Sequence, residues 1–265
     1  MGRIMRTLSY SAALALVATG LLIAATPKGR TLDGHPDLSG MWQTMSTANW
    51  DLQDHAAQAG PFFQLGAVGA VPSGQGVVDG GTIPYKPEAL KQKEANFKNR
   101  WKDDPEIKCY MAGIPRANYM PYPFQIVQTP TSILMAYEYA SANRVINMDK
   151  KPIEASVDTW MGTANGRWEG DTLVVDNTGF NDLSWFDRAG DYHSDQLHVV
   201  ERFTLIDTDH MNYEATIEDS QVFTRAWKIS LPLYRHIEKN AQLTEFKCVE
   251  FAEELLYGDV RKKTK

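Results

Sequence analysis

Positive charge is scarce in this chain: 27 lysines and arginines stand against 33 aspartates and glutamates. That balance excludes nucleic acid and anionic lipid surfaces as partners, since both are held by excess cation. No Gly-x-Ser-x-Gly elbow is present, and Ser194 beside His193 is too close in sequence to be taken as a hydrolase pair. Gly74-Gln75-Gly76 and Gly80-Gly81 lack the flanking strand, helix and lysine that a phosphate loop needs. Internal repeats are absent, and so are long apolar runs beyond residue 25.

Cysteine is equally sparse, with Cys109 and Cys248 the only two. In an oxidising compartment an even pair far apart in sequence is most simply a disulfide. Two buried thiols or a reactive nucleophile are the alternatives. The bridge would close a loop of about 140 residues and, on the chain-entropy model, contribute roughly 5 kcal/mol.

Arg3 and Arg6 precede an uncharged run over 7–25 that ends in Ile23-Ala24-Ala25. A basic start, an apolar stretch and small residues at the break predict a secretory signal cleaved after Ala25, and hence a periplasmic or secreted protein. An uncleaved anchor is the alternative, weakened by Ser9, Ser11 and Thr19. The arginines are not adjacent, which disfavours twin-arginine export, and no cysteine near the break offers lipid attachment. Cleavage leaves 25 basic against 33 acidic residues and no stable membrane insertion.

The remainder is read as an N-terminal strand, a Gly-rich loop and a covering helix over 26–121, a β-core over 122–258 and a basic tail over 259–265. Residues 59–84 show no steady period and are expected to be a long loop. Pro87 and Glu88 start a helix whose Leu90, Phe97 and Trp101 share a face, and Asp103-Asp104-Pro105 stops it. Short alternating runs predict strands at 41–44, 125–128, 133–139, 144–148, 167–168, 172–177, 198–206, 211–218, 227–233 and 243–251. The fold class expected is all-β and mainly antiparallel, a closed or strongly curved barrel, since closure removes exposed edges.

Pro36-Asp37-Leu38-Ser39-Gly40-Met41-Trp42 carries Gly-x-Trp into the first strand, which resembles the opening of lipocalins and other calycin barrels. The resemblance implies a Trp plugging one barrel end under an Arg from the last strand, where this chain offers Lys247. Three longer strings, YPFQIVQTP at 122–130, GRWEGDTLVV at 166–175 and HSDQLHVVERF at 193–203, resemble a widespread uncharacterised group of exported bacterial proteins. That likeness implies a secreted single domain and lends no substrate and no catalytic residue.

The densest polar stretch holds Asp182, Asp187, Arg188, Asp191, His193, Asp195, His198, Glu201 and Arg202. A metal is not favoured, because His198 and Glu201 point to opposite strand faces and Asp187, Asp191 and Asp195 lack a calcium-loop pattern. If 207–210 is the turn, His198, Val200, Arg202, Thr204 and Ile206 join Met211, Tyr213 and Ala215 on an inner face. That face suits a hydrophobic pocket with His198 as acid/base and Arg202 holding an anionic oxygen, with Asp187 or Asp195 orienting His193 or His198. The structural alternative pairs Arg202 with Glu138 or Asp176 and leaves His198 in the core. Tyr137, Tyr213, Trp168 and Trp185 are the candidate substrate contacts. The expectation is a cofactor-independent isomerase, cyclase, dehydratase or lyase acting on a small hydrophobic or aromatic molecule; the alternative is a non-catalytic periplasmic carrier.

Overall fold

The computed structural model describes residues 29–260; the expected export signal over 1–25 and the basic residues at 261–265 lie outside them. Nine strands form a closed barrel: β1 (Gly40–Thr44), β2 (Phe124–Gln128), β3 (Ser132–Tyr137), β4 (Asn143–Asn147), β5 (Thr163–Glu169), β6 (Thr172–Thr178), β7 (His198–Leu205), β8 (His210–Glu218) and β9 (Trp227–Arg235). β1 pairs with both β2 and β9, so no sheet edge is left open. Every neighbouring pair is antiparallel except β4 and β5. Parity demands one such exception, because an odd number of strands cannot close with all neighbours opposed. The connection 148–162 carries the chain back along the barrel to make that parallel contact.

One end of the barrel is closed by the N-terminal lead-in. Trp42 is wholly buried and donates its Nε1–H to the Leu38 carbonyl at 2.9 Å. The Arg235 guanidinium lies 4.3 Å from the Trp42 ring centroid. The cation over the Trp is therefore Arg235, not the expected Lys247, because β9 is the last strand and 243–251 adds no strand to the sheet. Gly40 has φ 138°, and a Cβ there would collide with Arg235 Nη1. Gly40→Ala is expected to lower the unfolding free energy by about 1–3 kcal/mol, read as a reduced urea midpoint. An unchanged midpoint would show that the arginine swings aside at no cost.

Buried side chains converge in the interior, and at its centre they are polar. Glu201 of β7 is fully buried and takes the Arg144 guanidinium of β4 across the barrel, Nη1 to Oε2 at 2.6 Å and Nη2 to Oε1 at 3.1 Å. Asn118 Nδ2, Tyr213 OH and Asn177 Nδ2 also donate to Glu201, at 2.6, 2.9 and 2.9 Å. Tyr137 OH closes the network on Asn118 Oδ1 at 2.9 Å. Aromatic and aliphatic side chains, among them Phe124, Phe203, Ile217 and Leu231, surround it.

Glu201 points inward because the register differs by one residue from the sequence expectation. Leu205 pairs with Met211, Phe203 with Tyr213 and Glu201 with Ala215, so the turn is 206–209. A one-residue slip exchanges the two faces of a strand. Val199, Glu201 and Phe203 are buried, and His198, Arg202 and Thr204 lie on the outer wall.

Helix α1 (Pro87–Asp103) runs between the expected limits, with Pro87 in its first turn. Its packed side carries Ala89 and Asn96, with Phe97 and Trp101 half-buried, whereas Leu90 is exposed. After β9 the chain runs as an irregular strap with a short helix α2 (Ala252–Tyr257). The expected Cys109–Cys248 disulfide is present and fastens this strap.

Candidate functional site

The turns 129–131, 170–171 and 206–209 lie at the end closed by Trp42, and the connections 45–123, 138–142, 179–197 and 219–226 lie at the other. Loops on a rigid barrel are where binding groups accumulate. An open cleft lined by Arg30, Asp171, Asp207 and Arg235 lies at the Trp42 end, and the loop-bearing end holds the buried Arg116 and Asp187 groups and the aromatic recess. None of the expected catalytic residues meets another there. His198 sits on the outer wall between Asp176 at 3.2 Å and Glu218 at 3.3 Å. Arg202 pairs outside with Glu169 at 2.9 Å, not with Glu138 or Asp176. The expected inner pairing of His198 with Arg202 is therefore corrected: both belong to the outward set of β7.

His193 is buried and accepts or donates across 2.7 Å to Ser184 Oγ, while its Nδ1 lies 2.9 Å from the Ser194 carbonyl. Burial holds its pKa below the ordinary value, so the ring is neutral. The serine partner is thus Ser184, nine residues away in sequence, not the adjacent Ser194. Both members are closed off: Ser184 is 3% exposed and a Cβ on Gly113 would overlap its side chain. A substrate has no route to this pair. Asp195 bonds Gln196 and Gln221, and neither Asp187 nor Asp195 touches an imidazole.

The four expected substrate contacts also separate. Tyr137 and Tyr213 belong to the interior network. Trp168 stacks on His35 at 4.7 Å near the opposite end. Trp185 sits in the 184–192 loop, where it bridges to Tyr192.

What the end does assemble is a compact set of charges. Arg116, 1% exposed, donates to both oxygens of Asp104 at 3.0 and 3.2 Å, to Glu106 Oε2 at 2.7 Å and, through Nε, to Asn49 at 2.8 Å. Arg188 grips Glu106 from the other side, Nε to Oε2 at 2.6 Å and Nη2 to Oε1 at 2.7 Å. Two cations thus balance two anions. Burial by itself would raise the Glu106 pKa, but Arg188 and Arg116 outweigh it and hold the carboxyl at about 2.

A pH dependence follows. Glu106 has a lower pKa folded than unfolded, so its stabilisation is complete above 4.5 and disappears as pH falls toward 2. At roughly 1.4 kcal/mol per unit, the loss is about 3 kcal/mol. Urea midpoints taken between about pH 5 and pH 2 should show it, and Glu106→Gln should flatten that part of the slope. An equally steep slope in the variant would assign the acid loss to other carboxylates.

Beside this cluster the strap roofs a recess of about 280 Å3. Trp101, Tyr122, Tyr139, Phe246 and Phe251 line it, with Arg188 and Glu106 at one side and the Cys109–Cys248 sulfur of Cys248 in the wall. Phe246 packs on Tyr139 at 4.9 Å and on Tyr122 at 5.3 Å. Tyr139 OH is anchored to the Glu106 carbonyl at 3.0 Å, which fixes that wall.

A third group of charges lies further round, behind Arg188. Asp187 and Asp191 are fully buried, and their carboxylate oxygens lie within 4.8 Å of one another and of Asp51. Asp187 accepts from the Leu52, Ala189 and Asp191 amides at 2.9, 2.9 and 3.1 Å. Burial and then the Asp191 charge push its pKa well above the ordinary range. Of the expected catalytic residues, Asp187 alone lies in a group of converging carboxylates.

Sequence reasoning missed the recess entirely, because 243–251 reads as a strand and Trp101 as part of a covering helix. It also missed Asp51, 136 positions before Asp187 in the chain. No family model matches the chain, and none of the curated proteins matches it.

Proposed function

We propose that this barrel is a binding protein for a small, flat, apolar molecule, held in the recess beneath the disulfide-anchored strap. The observation that carries the reading is the aromatic lining: Trp101, Tyr122, Tyr139 and Phe246 around about 280 Å3. The volume lies just under the roughly 300 Å3 at which ligand cavities ordinarily begin, which limits an occupant to a one- or two-ring compound. Aromatic walls favour a ring that can stack or meet them edge-on. Arg188 and Tyr122 supply the polar edge that sets orientation.

Carriage is favoured over turnover. Of the three carboxylates lining the recess, Glu253 and Glu254 are exposed on the strap; the buried one, Glu106, is ionised and already engaged by two guanidinium groups, so it neither gives nor takes a proton near neutral pH. His198 and Arg202, the expected acid/base and anion-holding groups, lie on the outer barrel wall. A disulfide-tied chain, with no helix among the described residues long and apolar enough to cross a membrane, is compatible with work in the periplasm or outside the cell.

Native mass spectrometry of freshly purified protein, followed by calorimetric titration with one- and two-ring aromatics, tests the reading. Saturable binding of one equivalent is expected, weakened roughly tenfold by Phe246→Ala through lost contact area. The unfolding midpoint of that variant should barely move, because Phe246 lies in the strap outside the barrel. Failure of every aromatic to bind, or affinity indifferent to Phe246→Ala, would sink it.

A further inference from the structure

The buried charges of the barrel interior and its loop-bearing end differ in how they are balanced. Arg144 matches Glu201 one to one, and Arg116 with Arg188 matches Asp104 with Glu106. Asp51, Asp187 and Asp191 have no such match. Among the described residues the one cation paired with them is Lys93, whose Nζ is 3.9 Å from Asp191 Oδ2, beyond hydrogen-bond reach. Asp191 has a side chain 0% exposed. Its Oδ1 accepts from Tyr85 OH at 2.9 Å, while Oδ2 has no hydrogen-bond partner at all.

An orphaned carboxylate oxygen in such a place costs several kcal/mol unless something positive meets it. We propose that Asp51, Asp187 and Asp191 bind a calcium ion. The donors are all carboxylate oxygens, the set a hard cation takes. One oxygen from each residue lies within 4.8 Å of the others, a spread that a shared calcium ion with oxygens at about 2.4 Å can bridge. Three carboxylates drawn from two separate segments suit calcium's flexible coordination better than the near-ideal, largely hydrated octahedron that magnesium demands.

The chain builds the cage from two distant segments. Leu52 N bonds Asp187 Oδ2 at 2.9 Å, which pins residue 51 against the 187–191 turn. Asp187 Oδ1 takes the amides of Ala189 and Asp191, so that turn is rigid. Asp51 spends Oδ1 on the Gln53 amide at 2.9 Å and is the half-buried member, on the wall of a groove formed with Lys93 and Phe97 of α1. That groove gives an ion its way in from solvent. His55 lines it too, with a buried Nε2 that has no hydrogen-bond partner. The proposal stands apart from the aromatic recess and survives if no organic ligand is found.

The experiment uses the full chain, stripped with a chelator and dialysed. Terbium, a luminescent calcium mimic, is titrated in with excitation through the aromatic residues, of which Tyr85 touches Asp191 directly. Saturable one-to-one luminescence that calcium displaces is expected, together with a calcium-dependent rise in unfolding temperature that chelator reverses. Asp191→Asn should weaken calcium binding by at least roughly tenfold. Asp51→Asn, at the half-buried position, serves the same purpose if the first variant does not fold. Asp54→Asn, beside the groove but outside the triad, should leave binding unchanged. No response in the wild type at millimolar calcium overturns the proposal, and so does a response that survives both triad substitutions. A preference for zinc or manganese over calcium would overturn the choice of ion and bring His55 into the ligand set.

Discussion

Glu201→Leu is expected to be the most damaging single substitution in the barrel, lowering the unfolding free energy by about 5 kcal/mol or more. Glu201 receives donors from Arg144, Asn118, Tyr213 and Asn177, all of them buried. Removing it strands a guanidinium that is itself 2% exposed and leaves three neutral donors without their acceptor. Arg144→Met should cost less, about 3 kcal/mol, because those neutral donors still solvate the remaining carboxylate. The pair should be strongly non-additive. Arg144→Met combined with Glu201→Leu buries no charge, so it should unfold at higher urea than Glu201→Leu alone. Equilibrium urea unfolding of the four proteins supplies the cycle. Losses that simply add would mean that the two side chains are energetically independent and that the bonds between them stabilise nothing.

That network also marks where reading the sequence stopped working. The alternation on β8 is clean, and Met211, Tyr213 and Ala215 face inward as their spacing implies. On β7 both faces mix polar and apolar residues, so the turn length decides the register. Asp207-Thr208-Asp209 accommodates either of two turns, and Asp207 settles the matter by capping the Asp209 and His210 amides at 2.8 and 2.9 Å. His210 thereby joins β8, and every β7 side chain changes face. The rule that a buried charge needs a partner held, but it applied to Glu201 and not to Arg202. Strand existence was legible nearly throughout, and so were barrel closure and the cysteine pairing. The last expected strand was not: 243–251 has strand composition but no partner edge, since β1 already occupies β9. The acidic triad was half visible, as Asp187 and Asp191 share a loop. Asp51 comes to them through backbone contacts that no side-chain pattern records, the Leu52 amide to Asp187 and the Arg188 amide to the Asn49 carbonyl.

Replacing both cysteines with serine should separate the strap from the barrel, an effect that local sequence could not foretell. The bridge spans 139 residues. On the chain-entropy model, losing a closure of that length costs about 5 kcal/mol. Part of that loss is offset in the folded state, because the freed strap regains conformational entropy. Its other fastenings include the His236 amide to the Met41 carbonyl at 2.9 Å, the Phe251 amide to the Ile107 carbonyl at 3.0 Å, the Thr244 amide to Glu138 Oε2 at 2.9 Å, Phe246 against two tyrosines and Tyr257 against Phe62 at 5.9 Å. Two events are therefore expected in sequence. Limited proteolysis should cut first within 236–260, leaving a barrel whose far-ultraviolet spectrum is unchanged, and only at higher denaturant should the barrel itself unfold. Affinity for an aromatic ligand should vanish with the first event, since Phe246, Cys248 and Phe251 form one wall of the recess. A double-serine protein that resists the protease like the wild type would mean the strap is held by its packing. One that loses strap and barrel in a single step would mean the strap is part of the cooperative fold, and the recess could not then open independently of it.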